Sequence, residues 1–203
     1  WAHGDGILLM AVADGVGSVA GSSGAAERAC RAAVEGGLGE AEAAAGRDPD
    51  TVVRAALAAG NQAAAEGNGA TTLVVAALLA DGTGSTGRIG DSTAFLLGED
   101  GAVAEAFEPP DPDRTDTSTA ALPGEVDEAE VTSFELPGDG ILVLATDGIA
   151  DPWRDGPSTV APALAGALME RPGPAQLLAV ADFSRQGCHD DRTIVCAWLT
   201  AGG

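Results

Sequence analysis

Apolar residues fall into two kinds of run along this chain. Short continuous runs, residues 7–13 and 141–145 among them, lack polar alternation and predict strands buried on both faces. Further strands are predicted over residues 71–79, 85–89, 93–97, 102–106 and 193–199, with Asp81-Gly82 and Asp100-Gly101 marking turns between neighbours. A helical period appears elsewhere. An Ala-rich helix is predicted over 22–34, and Val53, Ala56, Leu57, Gly60 and Ala64 recur on one face of a second, with Arg54, Asn61 and Gln62 off it. Helices are also predicted over 159–169 and 175–185. Between strands and helices, "EPPDPDRTDTSTA" (108–120) has no apolar period and predicts an exposed loop.

Strands cluster in neighbouring runs and helices in separate pairs. That order predicts an α+β fold of antiparallel sheets covered by helices, and not a βαβ nucleotide fold. No internal repeat is present. At 203 residues and 45% hydrophobic content, the chain predicts a single domain, 1–203, with a sizeable core. Only 3% of residues are aromatic, so that core is made of small aliphatic side chains.

Charge narrows the partners. A net charge of −21 argues against nucleic acid and against anionic membranes, and favours divalent cations. No apolar stretch approaches the roughly 18 residues of a membrane span, and no basic signal region opens the chain, which predicts a cytoplasmic location without membrane insertion. Cys30, Cys188 and Cys196 are odd in number and lack metal-site spacing, predicting reduced, packed thiols.

Most Asp-Gly pairs need no special chemistry. Asp81, Asp100 and Asp139 lie between strand-like runs and are explained by turns. Asp14 and Asp147 differ, because each ends a run that should be buried, "ILLMAVAD" and "ILVLATD". Asp91 and Asp190 also adjoin strands, and Asp151 follows Asp147 by four residues. Several carboxylates brought together repel one another unless a cation intervenes. All-oxygen ligation suits Mg²⁺ or Mn²⁺, and a water bridging two such ions becomes a nucleophile fit for phosphate esters. Gly15, Gly17 and Gly148 permit close approach of backbone to an ion. For Gly69 and Gly90, tight packing and an indirect role in a site both remain open.

The order of the motifs carries a resemblance. "VADGVGS" (12–18), "GATT" (69–72), "GDST" (90–93), "LATDGIAD" (144–151) and "DDRTIVC" (190–196) resemble, in order and spacing, the metal-dependent protein phosphatases of the PP2C-like (PPM) family, bacterial type. The resemblance spans nearly the whole chain. It implies a four-layer α-β-β-α sandwich, two antiparallel sheets packed face to face with helices outside. It also implies a phosphoserine/phosphothreonine protein phosphatase that uses two core Mn²⁺ or Mg²⁺ ions, with a looser third in bacterial members. Attack on the phosphate ester comes from a metal-bridging water, with no phosphoenzyme. The implied partners are phosphorylated proteins and a cognate Ser/Thr kinase.

Residue by residue, the resemblance makes Asp14 the bridging ligand and Gly15 a carbonyl ligand, with Asp147 and Asp190 completing the second metal. Asp91, Asp147 and Asp151 would hold the third ion, and Asp191 would stand behind the ligands. Asp14, Asp147 and Asp190 are the implied catalytic centre. Three departures accompany it. The family's Arg and acidic pair on the strand before "VADG" have no counterpart after Trp1, so either the sequence given begins downstream of them or substrate is held differently. Val16 replaces the His of eukaryotic members, and Thr93 stands where Arg is common. His189 adjoins Asp190, yet neighbours in a strand point to opposite sides, which predicts a structural or surface role. His3 carries no signal. The alternative function is a catalytically silent relative serving as a regulatory or binding module. A merely structural cation site fits less well, since Ca²⁺ loops gather their ligands locally and these are dispersed.

Overall fold

The buried runs become the inner strands of two antiparallel sheets. The computed structural model describes residues 1–4, 6–43, 48–108, 120–125, 129–154, 160–183 and 190–200. In chain order the strands are β1 (Ala2–Gly4), β2 (Ile7–Val12), β3 (Leu73–Leu79), β4 (Thr83–Ile89), β5 (Thr93–Leu97), β6 (Val103–Glu105), β7 (Glu130–Glu135), β8 (Ile141–Ala145) and β9 (Ile194–Trp198). One sheet has the order β1-β2-β3-β4-β7 and the other β6-β5-β8-β9. Helices α1 (Ser22–Ala43) and α2 (Pro49–Ala65) pack on the first sheet, and α3 (Asp147–Arg154), α4 (Val160–Met169) and α5 (Pro174–Ala181) on the second.

Strand alternation sorts the core into three apolar seams. Ile7, Leu9, Leu73, Val75 and Ala77 face the α1–α2 pair. Their neighbours Met10, Val12, Val74, Ala76 and Leu78 face the other way, meeting Ala94, Leu142 and Leu144 of the second sheet. On that sheet's outer side Phe95, Leu97, Ile141 and Val143 pack against Ile149, Trp153, Leu164 and Leu168. Both faces of the central strands are therefore dry, which is why their sequences read as unbroken apolar runs. The four layers α-β-β-α follow.

Local chemistry fixes several boundaries. Asp48 caps α2 by accepting from Thr51 N at 3.3 Å, and Pro49 occupies the first turn, where its missing N–H costs nothing. Helix α1 runs on to Ala43, nine residues past the expected 34, through Gly36 and Gly37. A Cβ at Gly36 would lie 2.5 Å from Ala59 Cβ, and one at Gly37 2.5 Å from Leu9 Cδ2. These glycines, weak helix formers by themselves, let α1 sit close to α2 and β2, and packing overrides propensity. Strands β1 and β7 and helix α3 were not among the expected elements. The loop expected over 108–120 and the end of the helix expected over 175–185 fall mainly outside the described residues. Among the described residues no helix is long and apolar enough to cross a membrane.

Candidate metal centre

The acidic cluster arises from where three strands start and stop. Asp14 lies two residues past the end of β2, Asp147 opens α3 just after β8, and Asp190 precedes β9. Ala145 of β8 stands opposite Ile194 of β9, so the exit of one and the entrance of the other share an end of the sheet. Thr146 N donates to Thr193 O (3.1 Å), and Thr193 N donates back to Thr146 Oγ1 (3.0 Å), continuing the pairing past the strands. The facing sheet brings Asp14 to the same end. One carboxylate oxygen from each of Asp14, Asp147 and Asp190 lies within 4.8 Å of the others.

The backbone beneath Asp14 is clamped. Its carbonyl accepts from Thr72 N and from Thr71 Oγ1, both at 2.8 Å, while its own N–H donates to Thr72 Oγ1 at 3.1 Å. Thr72 Oγ1 in turn meets Ser92 Oγ at 2.7 Å. The "GATT" and "GDST" segments thus hold the first aspartate in place. Gly15 bridges to Thr71, and a Cβ there would come 2.7 Å from the Ser22 carbonyl carbon at the head of α1.

Gly69 is the more exacting position. Its φ of +111° is one that side chains resist, and a Cβ would lie 2.5 Å from Gly21 C and O. Gly69→Ala is expected to cost about 2–4 kcal/mol, combining backbone strain with overpacking. Urea unfolding checks this, and a loss under about 0.5 kcal/mol would mean that the loop yields freely.

Electrostatics mark the cluster as unstable without a counter-charge. Burial, then the charges of Asp91 and Asp190, push the Asp147 carboxyl up to about 7, against the opposing hydrogen bond from Gly148 N to Asp147 Oδ1 at 2.7 Å; Asp14 adds to the rise. Asp14 is also raised, by burial first; a hydrogen bond with Asp147 opposes, and Asp190, Asp191 and Asp91 add repulsion. A set of hard oxygen donors that repel one another fits a divalent cation of the Mg²⁺ or Mn²⁺ type.

The remaining expected residues are placed differently. Asp91 is not one of the three clustered acids, although its charge reaches both Asp14 and Asp147. Asp151 is also outside the group and accepts from Arg154 Nη1 at 3.0 Å. Asp191 donates its N–H to Asp190 Oδ1 at 3.0 Å, bracing that carboxylate. Gly90, with φ of +100°, packs against Thr72. Val16 contributes backbone groups, its N–H donating to Ala70 O at 2.9 Å and its carbonyl accepting from Val19 N at 3.0 Å. His189 and Cys188 lie outside the described residues. Burial pushes the Cys30 thiol up to about 11 and Cys196 to about 12, so both remain protonated and unreactive.

Sequence reasoning missed a second charged network next to the site. Glu105 accepts from Thr93 Oγ1 (2.6 Å) and from Arg154 Nε (3.0 Å), and Arg88 Nη1 lies 3.6 Å away. Arg88 is buried, stacks over Phe107 at 4.4 Å, and pairs with Glu130 at 3.0 Å. Thr93 therefore serves as a hydroxyl anchor within this network. No local signal could reveal it, because Arg88, Thr93, Glu105, Glu130 and Arg154 come from five separate elements.

The family model described as "Protein phosphatase 2C" matches residues 1–180, and the chain belongs to that family. Among solved structures, the serine/threonine phosphatase PstP/Ppp of Mycobacterium tuberculosis is 24% identical with a TM-score of 0.63, over 98% of this chain and 91% of that one. The PPM Ser-Thr phosphatase MsPP of Mycobacterium smegmatis is 20% identical with a TM-score of 0.68, over 99% and 90%. PppA of Pseudomonas aeruginosa is 17% identical with a TM-score of 0.64, over 94% and 86%. These likenesses establish the fold, two antiparallel sheets between helical layers. None of the curated proteins matches the chain.

Proposed function

We propose that this chain is a Mn²⁺- or Mg²⁺-dependent phosphoserine/phosphothreonine protein phosphatase. The observation that supports it most is the convergence of Asp14, Asp147 and Asp190 within 4.8 Å, with Asp147 pushed up to about 7. Family membership gives that cluster a chemistry. The catalytic domain of a serine/threonine protein phosphatase PstP has been solved in complex with two manganese ions, and the similar RsbX with magnesium.

On this reading Asp14, Asp147 and Asp190 hold two ions with the Gly15 carbonyl, and Asp91, Asp147 and Asp151 take a third. Divalent ions there supply a water acidified toward neutrality and positive charge for the phosphate oxygens. The protein's own part is positional. Thr71 and Thr72 fix the Asp14 backbone, the Gly148 N–H orients one Asp147 oxygen, and the Asp191 N–H orients Asp190. Asp151 meets Arg154 through Oδ1, which leaves its Oδ2 to serve a third ion. The substrates are phosphorylated proteins, and the acidic surface favours those with basic flanks.

The test is hydrolysis of p-nitrophenyl phosphate by the purified chain across a Mn²⁺ titration, with Asp190→Ala alongside. Saturable, metal-dependent turnover is expected, falling by about 10²-fold or more in the variant. Full activity in excess chelator would defeat the metal reading. Absent turnover with Mn²⁺ binding retained in calorimetry would make the chain a binding module of the same fold.

A further inference from the structure

We propose that Arg192 is a positioning residue of the metal centre, standing in at the Gly148 carbonyl for a helical N–H that Pro152 cannot supply. Pro152 lies inside α3, and proline has no N–H to donate. The carbonyl four residues earlier, that of Gly148, is therefore denied the bond a regular helix would give it. Arg192 Nε donates to that oxygen at 3.3 Å from the segment leading into β9. A bond that the sequence of α3 forfeits is remade across the fold.

The contact lies between the two segments that carry Asp147 and Asp190. Gly148 is also the residue whose N–H bonds Asp147 Oδ1 at 2.7 Å, so holding its carbonyl side steadies the donor that orients that carboxylate. Arg192 follows Asp190 by two residues, and a Cβ at Gly148 would collide with Asp191 O and come 3.2 Å from Arg192 Cγ. The segments are already in contact. Thr146 Oγ1 adds a bond to Asp191 O at 3.4 Å, and the Arg192 guanidinium lies over the Phe183 ring, 4.3 Å from its centroid, which fixes the direction of the side chain. Arg192 thus ties the Asp190 segment to the head of α3 from behind the clustered acids.

This role rests on the metal reading above, and the test separates the two. Arg192→Met and Arg192→Gln both remove the guanidinium, but the Gln amide nitrogen stands where Nε stood along the side chain and can still donate. In calorimetric Mn²⁺ titrations of the folded proteins, affinity should fall about tenfold in Arg192→Met and be largely kept in Arg192→Gln. Pro152→Ala returns an N–H to the helix, so adding it to Arg192→Met should recover most of that loss. In urea without metal, Arg192→Met should lower the unfolding midpoint less in the Pro152→Ala background than in the parent. Where Arg192→Met alone does not fold, recovery of a folded protein by Pro152→Ala is the same rescue, and failure to recover would overturn the bond's role. Undiminished Mn²⁺ affinity in Arg192→Met, or equal losses in the Met and Gln variants, would overturn the positioning of the acids. Equal drops in midpoint in both backgrounds would overturn the substitution for the donor that Pro152 lacks. A parent chain that binds no Mn²⁺ would defeat the metal reading and the positioning role with it, while the urea cycle would still decide whether Arg192 braces Gly148.

Discussion

Asp147→Asn is expected to lower Mn²⁺-dependent phosphate ester hydrolysis by about 10³-fold while leaving the metal-free protein at least as stable as the parent, the scale of losing a charge-stabilising group from a preorganised site. The reason lies in the cluster's own repulsion. Asp147 ionises near 7 in the fold, against an ordinary value of 3.8. Between those values the folded chain holds a proton that the unfolded chain has lost, so stability falls as pH rises from about 4 to 7. Asn carries no charge and escapes that loss. Thermal melts of parent and variant at pH 4 and pH 8, without metal and with Mn²⁺, read all of this. The parent should lose more than the variant on going to pH 8, and gain more from Mn²⁺. A metal-free variant that unfolds at ordinary temperature would make Asp147 a structural residue.

Glu105→Ala is expected to destabilise the protein by about 3 kcal/mol at pH 7, because it strips the shared carboxylate from Arg88, which is 6% exposed, and from Arg154. Burial alone would raise the Glu105 carboxyl, but hydrogen bonds from Arg154 and Thr93 and the charges of Arg154 and Arg88 outweigh it and hold the group below its ordinary 4.5. A depressed carboxyl stabilises the fold above its unfolded value and ceases to do so as pH falls through the folded one. The parent's advantage over Glu105→Ala should therefore shrink below about pH 4.5. Urea unfolding at pH 7 and pH 3 is the measurement. Equal stability at pH 7 would show that Glu130 and Asp151 suffice as partners.

The two networks differ in how visible they are along the chain. Asp14 and Asp147 stand out because each follows an apolar run too continuous for a half-exposed strand, a pattern that survives without any neighbour being known. Glu105, Arg88 and Arg154 carry no such flag. Glu105 sits in the three-residue β6, and Arg88 lies on β4, whose sequence is mostly small and polar; only pairing across the fold makes either residue special.

Sequence alone determined the buried strands, the amphipathic face of α2, the turns at Asp81 and Asp100, and which acids end core strands, because these depend on periodicity and turn chemistry within a few residues. Tertiary structure decided the rest. It carried α1 through Gly36 and Gly37, since the missing side chains admit Ala59 and Leu9. It made a helix of 147–154 despite Pro152, because Ile149 and Trp153 are buried against the second sheet. It also turned Asp151 toward Arg154 while gathering Asp14, Asp147 and Asp190. Periodicity reports what a residue faces, but distances between strand ends are set only when two sheets pack.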